Sequence, residues 1–249
     1  MEAPARELKA FPENAHAKDT VEKIKQSKLY DGNLGMYLTS EPLNDESMEI
    51  GRIRAFTPGW LERESVFLHM EFKYLLGMLK SGEYDLYYDT IKKALPPFMD
   101  PATYGRSTLE NSSFIASSRN PNPATQGRGY VSRLTGTTAE VMSLWLHMMS
   151  GTKLFKYENG ILTFELKPKL HHCFFDSNNS VKFTLFKTTE IIYKNPKRKN
   201  TYGDDKVTPK MYMLCKGLEV IKTTQVTHDL AENVRNGYYD RIEVELDDE

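Results

Sequence analysis

The hydrophobic period of this chain changes at Gly151, and this change limits the possible folds more than any other feature. Before Gly151, apolar residues recur at helical spacing, as in residues 61–80, whereas after it they alternate with polar residues as in strands. Helices followed by strands are typical of an α+β protein or of separate domains. We therefore predict an α+β multidomain chain, with helices and loops in residues 1–151 and a β-domain in residues 152–249.

The helical part contains three clear helix patterns. Residues 61–80 stop at Ser81-Gly82, residues 83–95 stop at Pro96-Pro97, and residues 138–150 stop at Gly151. The first two are predicted to form an antiparallel pair. Residues 98–134 are rich in proline, glycine, serine and asparagine, and a loop of this length inside a compact domain is usually functional or disordered.

The β-domain begins with "KLFKYENGILTFELKP", in which Asn159-Gly160 predicts a tight hairpin because both turn positions need positive φ. Further strands are predicted in "SVKFTLFKTTEIIYKNP", "KMYMLCKGLEVIKT" and "RIEVELDD", and a short helix in "HDLAENVRNG". A small antiparallel β-sandwich is the natural interpretation of this pattern.

The composition excludes several classes of protein. The 33 basic and 34 acidic side chains nearly cancel, which argues against a nucleic-acid partner. The chain has no apolar run long enough to cross a membrane and no secretory signal, so we expect a soluble cytoplasmic protein. No residue spacing suggests a metal site, and the glycines match no nucleotide-binding motif.

The stretch "RLTGTTAE" precedes the third helix and has two interpretations. Thr137 and Glu140 have the spacing of a capping box, which is ordinary helix chemistry. Thr135 and Gly136 offer a hydroxyl and an accessible backbone N–H at a helix N-terminus, which are the elements of an anion site. His69 also has two possible interpretations, because a lone histidine on an apolar helix is either a core residue or a ligand.

Three blocks in order carry a family resemblance: "FTPGWLERESVFLHMEFKYLLGML", "YGRSTLENSSFIASS" and "GRGYVSRLTGTTAE". They resemble the C-terminal portion of the cellobiose-type inverting glycoside phosphorylases, and the oligo-β-glucan branch in particular. The resemblance covers residues 20–249. It implies the C-terminal part of an (α/α)6 barrel followed by a small antiparallel β-sandwich.

The resemblance also implies a reaction and its anion ligands. In such enzymes inorganic phosphate attacks the anomeric carbon of a β-linked glucose oligosaccharide while an aspartic acid protonates the leaving oxygen, which yields an inverted sugar 1-phosphate. The family's phosphate ligands fall on His69, Thr135 and Gly136. Phosphate is then a co-substrate, and no cofactor or metal is implied.

The sugar-binding residues are implied more loosely. They fall on Arg106, Glu110 and Asn111 in the long loop and on Glu62 before the histidine block. The Asn-Gly-Gly that follows this acidic position in cellobiose phosphorylases is replaced here by Arg63, Glu64 and Ser65, which leaves the acceptor preference open.

No residue of this chain is assigned as the general acid, because the family's catalytic aspartate lies upstream of the histidine block. The candidates for the general acid do not include Asp85, Asp89 and Asp100, because all three follow that block. The resemblance therefore predicts a C-terminal fragment, a split gene product or a truncated gene that cannot turn over substrate alone. Its partners would be β-glucan oligosaccharide, phosphate, and either the missing N-terminal part of the enzyme or a second copy.

Two alternatives remain open. The chain could be a non-catalytic carbohydrate-binding or structural module whose β-domain contacts glucan through surface aromatic rings, the candidates being Tyr157, Tyr193, Tyr202, Tyr238 and Tyr239. A hydrolase on the same barrel is the other, but it would need a base to activate water.

Overall fold

The computed structural model describes residues 1–12, 16–131 and 135–248. The chain divides into two compact units, Met1–Leu144 and Trp145–Glu249. The predicted domain boundary between residues 151 and 152 stays a prediction.

Seven α-helices lie in the described residues: α1 (Glu2–Ala10), α2 (Ala17–Gln26), α3 (Leu68–Ser81), α4 (Tyr84–Ala94), α5 (Pro101–Tyr104), α6 (Thr135–Ser150) and α7 (His228–Arg235). Thirteen strands accompany them: β1 (Tyr30–Asp31), β2 (Met36–Tyr37), β3 (Val66–Phe67), β4 (Phe114–Ile115), β5 (Gly129–Tyr130), β6 (Phe155–Glu158), β7 (Ile161–Phe164), β8 (Ser180–Leu185), β9 (Thr189–Lys194), β10 (Val207–Lys216), β11 (Glu219–Thr223), β12 (Val226–Thr227) and β13 (Arg241–Asp248).

Helix α3 is the centre of the first unit. Its residues Phe72, Leu75 and Leu79 recur at helical spacing and are buried, which is the pattern expected of a helix packed on several sides. Helices α1, α2 and α4 all contact α3. The contact with α1 is close, because a Cβ added at Gly77 would lie 2.5 Å from the Cβ of Leu8. Gly82, with a left-handed φ of 88°, ends α3 and lets the chain turn into α4.

The first predicted helix begins later than its apolar spacing indicated. Leu61 and Glu64 have positive φ angles of 52° and 55°, which a right-handed helix cannot accommodate. Trp60 instead pairs with Arg63 in an isolated β-bridge, and β3 follows before α3 starts at Leu68. The second predicted helix is confirmed as α4.

The prediction of part of an (α/α)6 barrel is wrong. Such a barrel is a ring of helical hairpins, whereas the described helices of the first unit form a cluster in which α1, α2 and α4 share one central helix. Three strands of two residues each, β3, β4 and β5, also form a small sheet within this unit. Apolar spacing defines the buried face of each helix but not the number or arrangement of its neighbours. The arrangement of the helices therefore could not be predicted from this spacing.

The second unit contains every strand that the alternating pattern predicted. The hairpin at Asn159-Gly160 is confirmed, with φ angles of 53° and 78° at the two turn residues between β6 and β7. The predicted strand pairs β8–β9 and β10–β11 and the last strand, β13, are confirmed, as is the short helix α7.

The prediction of a small antiparallel β-sandwich is also wrong. The main sheet has five strands in the order β11-β10-β13-β9-β8, and β13 pairs with β9 in parallel. A second sheet of three strands has the order β12-β7-β6. Parallel strands require a long connection, and here the last strand of the chain inserts between β9 and β10. Alternation reports which residues share a face of a strand, but it does not report the partner strand or its direction.

Candidate functional site

A small three-stranded sheet brings three distant segments of the first unit together. β4 is its central strand, with Val66 opposite Ile115 on one side and Ile115 opposite Gly129 on the other. Val66 and Ile115 are fully buried, so this face of the sheet packs into the core. The backbone N–H of Leu68 donates to the carbonyl of Ser113 at 3.0 Å, which joins the start of α3 to the long loop. The sheet thus places the first turn of α3 beside the segment that leads to α6.

His69 and Gly136 lie in direct contact. A Cβ at position 136 would stand 2.7 Å from Cε1, 3.0 Å from Nδ1 and 3.1 Å from Nε2 of the imidazole, so the ring would have to shift to admit it. His69 is the second residue of α3, and Gly136 is the second residue of α6. Two helix N-termini therefore converge at this point, and each carries partial positive charge and backbone N–H groups without intrahelical acceptors.

The start of helix α6 around Gly136 does not have the predicted capping-box arrangement. Helix α6 begins at Thr135, so Thr137 lies within the first turn rather than at the cap, and the capping-box prediction is wrong. Thr135 is exposed, whereas Thr137 is buried with no hydrogen-bond partner for its Oγ1 among the described residues. Glu140 faces His69, with Oε1 3.8 Å from Nε2.

His69 sits in a partly buried and charged environment. Its side chain is 24% exposed, and its ring meets that of Phe67 edge-on at a centroid distance of 5.8 Å. Burial lowers the pKa of His69, and Lys73 lowers it further, while Glu140 opposes both effects. The lowered pKa favours the neutral imidazole, which can donate from only one ring nitrogen.

Asn111, one of the predicted sugar-binding residues, contacts the first turn of α6. Its Nδ2 donates to Oγ1 of Thr138, in the first turn of α6, at 3.4 Å. Asn111 also directly precedes buried Ser112 and Ser113 and the strand β4. The structure therefore places Asn111 at the same helix N-terminus as Gly136.

Arg106 and Glu110 pair with each other. Nη2 of Arg106 lies 3.2 Å from Oε2 of Glu110, and the two side chains are 30% and 54% exposed. Tyr104, which is buried, donates its hydroxyl to the backbone carbonyl of Glu110 and so holds this loop in place. Nε of Arg106 is buried and lacks a hydrogen-bond partner among the described residues, which leaves one donor of the guanidinium available for a further interaction.

Glu62 is held by a different contact. Its carboxylate accepts from Arg52, with Nε 3.0 Å from Oε2, and its backbone carbonyl accepts from Oγ1 of Thr39. It lies between the two left-handed residues Leu61 and Glu64. No described contact joins Glu62 to His69 or Gly136, so the structure does not bring these predicted residues into one cluster.

Glu71, Asp89 and Asp100 lack the properties of an accessible general acid. Glu71 is fully buried, and burial raises its pKa to about 8, but it points into the core, where Oε2 accepts from the backbone N–H of Tyr37 at 3.1 Å. The hydrogen bond from Lys93 keeps the pKa of Asp89 low. Asp100 caps α5, and its hydrogen bond with Thr103 lowers its pKa. None of these groups combines a raised pKa with access to solvent.

The aromatic residues considered for glucan contact divide into two groups. Tyr193, Tyr202 and Tyr239 are buried, and Tyr193 donates its hydroxyl to the carbonyl of Met149 at 2.7 Å. Only Tyr157 and Tyr238 of this set are exposed. Three of the five rings are therefore packing residues and not a glucan-binding surface.

The described residues contain no group of three or more side chains that could hold a metal ion. In the same part of the chain, no helix has both the length and the apolar character needed to cross a membrane.

A family comparison matches the part of the chain that contains this site. The model of the glycosyl hydrolase 94 superfamily, catalytic domain, matches residues 10–151, which is more than half of the sequence. The chain therefore belongs to the glycosyl hydrolase 94 superfamily. A comparison with curated proteins gave no match.

Proposed function

We propose that this chain binds inorganic phosphate where α3 and α6 begin, and that it supplies the phosphate-binding part of an inverting glycoside phosphorylase. His69, Thr135 and Gly136 are the proposed phosphate ligands. The substrate class is a β-linked glucose oligosaccharide of the kind used by the oligo-β-glucan branch, and the product is a sugar 1-phosphate. The general acid is not assigned to a residue of this chain.

The observation that carries the proposal is the contact between the His69 imidazole and Gly136. These residues stand 67 positions apart, and each is the second residue of a helix. Backbone N–H groups at a helix N-terminus favour an anion, and the absence of a Cβ lets a ligand approach the backbone closely. A histidine placed beside two such termini supplies a side-chain donor to the same anion.

Phosphate, rather than water, is the nucleophile that suits this arrangement. A water molecule needs a general base, whereas phosphate is nucleophilic at neutral pH and needs donors that hold it in line with the bond to be broken. The carboxylate of Glu140 lies within ion-pair distance of the imidazole, which favours its role as a partner of the histidine over that of a base for water. Membership of a superfamily of glycoside-cleaving enzymes supports the sugar as the other reactant.

Asn111 and the Arg106–Glu110 pair are proposed to contact sugar hydroxyl groups. Asn111 supports this role because it already lies at the first turn of α6. The Arg106–Glu110 pair supports it because a half-exposed guanidinium and carboxylate offer donors and acceptors together. Glu62 is retained as a proposed sugar contact, although Arg52 holds its carboxylate.

Phosphate-dependent thermal stability tests the proposal. Phosphate at roughly 100 times its Kd should raise the melting temperature of the 249-residue chain by about 5 °C, since a ligand that binds only the folded state stabilises it by mass action. His69→Gln and Thr135→Val should remove this rise, and glucose 1-phosphate should compete with phosphate.

The matched control is His172→Gln, which changes an exposed histidine in the second unit and should leave the phosphate effect intact. Chloride at equal ionic strength provides the reference. Equal shifts with phosphate and chloride, or full phosphate shifts in both site variants, would refute the proposed site.

A further inference from the structure

We propose that Glu140 is a positioning residue for His69, and that its carboxylate orients the imidazole and stabilises the cationic ring, so that phosphate and a proton bind together. This inference rests on the proposed function, because it assigns a new role at the same site. Sequence reasoning placed Glu140 in a helix cap, and nothing in that interpretation linked it to the histidine.

The position of Glu140 on α6 supports this role. It lies four residues after Gly136, so the two share one face of the helix, the face that meets His69. Helical side chains lean toward the N-terminus of their helix, which brings the carboxylate back toward Gly136. The observed distance of 3.8 Å from Oε1 to Nε2 agrees with this direction, and the Glu140 side chain is only 14% exposed.

The two ring nitrogens of His69 then have different partners. Nε2 lies 3.8 Å from Oε1 of Glu140, and the ring edge formed by Cε1 and both nitrogens faces the space that a Cβ at Gly136 would occupy. Because Nε2 is the nitrogen nearer to the Glu140 carboxylate, Nδ1 is the nitrogen assigned to an anion at the start of α6. At 3.8 Å the carboxylate of Glu140 acts on the ring through its charge, which favours the imidazolium, and the imidazolium can donate from Nδ1 to phosphate. The proton is taken up from solvent as the anion binds.

Four charged groups act on His69 from the elements packed around it. They are Lys73 on α3, Glu140 on α6, and Glu2 and Lys9 on α1. Burial is the largest influence and lowers the pKa of His69, as do Lys73 and Lys9, whereas Glu140 and Glu2 raise it. A buried anion beside the ring would add to the effect of Glu140. Loss of the Glu140 charge would leave the effects of burial and Lys73 with less opposition.

Histidine side-chain NMR of the full chain, without phosphate, measures the coupling directly. In Glu140→Gln the titration midpoint of His69 should move to lower pH than in the wild type, and Glu140→Asp should give a smaller change. Glu49→Gln, which removes a charge from an exposed glutamate in a short 3-10 helix, should leave the midpoint unchanged. An unchanged midpoint in Glu140→Gln would overturn the inference.

Calorimetry with inorganic phosphate at about pH 6 to about pH 8 tests the linkage to the proton. In buffers of different ionisation enthalpy, the wild type should take up a proton as phosphate binds. In Glu140→Gln the affinity at neutral pH should fall about tenfold, as expected when a nearby charge that stabilises the imidazolium is removed, and the loss should shrink at lower pH. Equal or tighter binding by this variant would show that the carboxylate repels phosphate and would overturn the inference.

The two measurements separate the two proposals. If the wild type binds phosphate but the Glu140 variants keep the wild-type histidine titration, the positioning role fails and the phosphate site stands. If the wild type does not bind phosphate at any pH, the proposed function fails, and the joint binding of phosphate and a proton fails with it.

Discussion

The imidazole of His69 fills the space that a side chain at Gly136 would occupy, since a Cβ there would lie 2.7 Å from Cε1. Position 136 is within α6 and has no left-handed φ, so glycine is needed here for space and not for backbone conformation. This relationship ties the geometry of the proposed anion site to the absence of a single methyl group.

Gly136→Ala should therefore damage the site more than the fold. Alanine favours a helix over glycine by about 1 kcal/mol, and this gain offsets part of the cost of moving the His69 ring. We expect a stability change of less than about 1 kcal/mol but at least about a tenfold loss of phosphate affinity, because the imidazole must leave its position. Urea unfolding and calorimetry measure the two quantities.

The control for this change is Gly32→Ala, where an added Cβ meets nothing within 4 Å. It should leave phosphate affinity unchanged. Wild-type affinity in Gly136→Ala would show that the contact with His69 has no part in binding.

Glu71→Gln should change the pH dependence of stability. Burial raises the pKa of Glu71 in the folded state to about 8, above its ordinary value of 4.5. The folded state therefore holds one more proton than the unfolded state between these pH values, so the contribution of Glu71 to stability falls as the pH rises through this window. Glutamine removes this loss, and its advantage over the wild type should grow to roughly 4 kcal/mol near pH 8.

Urea midpoints from about pH 5 to about pH 9 measure this difference between variant and wild type. Glu22→Gln, on the exposed face of α2, is the control and should follow the wild type throughout. A constant difference between Glu71→Gln and the wild type would mean that Glu71 does not titrate in this window.

Arg106→Ala should separate sugar binding from stability. The Arg106–Glu110 ion pair is largely exposed, and such pairs contribute less than about 1 kcal/mol. If Arg106 contacts sugar, its loss should reduce the affinity for β-linked glucose oligosaccharides about tenfold with little change in the urea midpoint. Lys182→Ala, which breaks the exposed pair with Glu190 on β8 and β9, should affect neither quantity.

Tyr193→Phe should act on stability alone. The Tyr193 hydroxyl donates to the carbonyl of Met149 inside the second unit, so its removal leaves a buried acceptor without this donor and should cost about 1 kcal/mol. Tyr157→Phe, at a ring that is 74% exposed, should be neutral. Thermal melts measure the stability of both variants. Loss of glucan affinity without loss of stability in Tyr193→Phe would instead support the alternative of a carbohydrate-binding module.

The sequence predicts structure well where the cause is local. The Asn159-Gly160 hairpin, the strands after it, α4 and α7 all follow from turn chemistry and hydrophobic period, and the structure has each of them. The sequence does not predict helix α1, because the first residues of the chain are polar and their apolar residues have only a weak helical period. Residues 61–67 were assigned to a helix because apolar spacing does not reveal the left-handed φ angles at Leu61 and Glu64.

The candidate site also combines features that the local sequence predicts with features that depend on tertiary packing. The residues His69 and Gly136 could be selected from their motifs and from the family resemblance, but their contact depends on the pairing of β3, β4 and β5 across a long loop. The role of Glu140 was hidden for the same reason, since its spacing from Thr137 also fits a cap. The signal available was its four-residue spacing from Gly136, which predicts a shared helix face.

Local chemistry thus set the helices, the strands and the residue types that an anion site needs, because hydrophobic period and turn preference act over a few residues. The tertiary structure decided that α3 is a hub for three helices, that β13 runs parallel to β9, and that two helix N-termini meet around one imidazole. Those relationships depend on packing between segments far apart in the chain, and neither period nor motif spacing records which distant surfaces fit together.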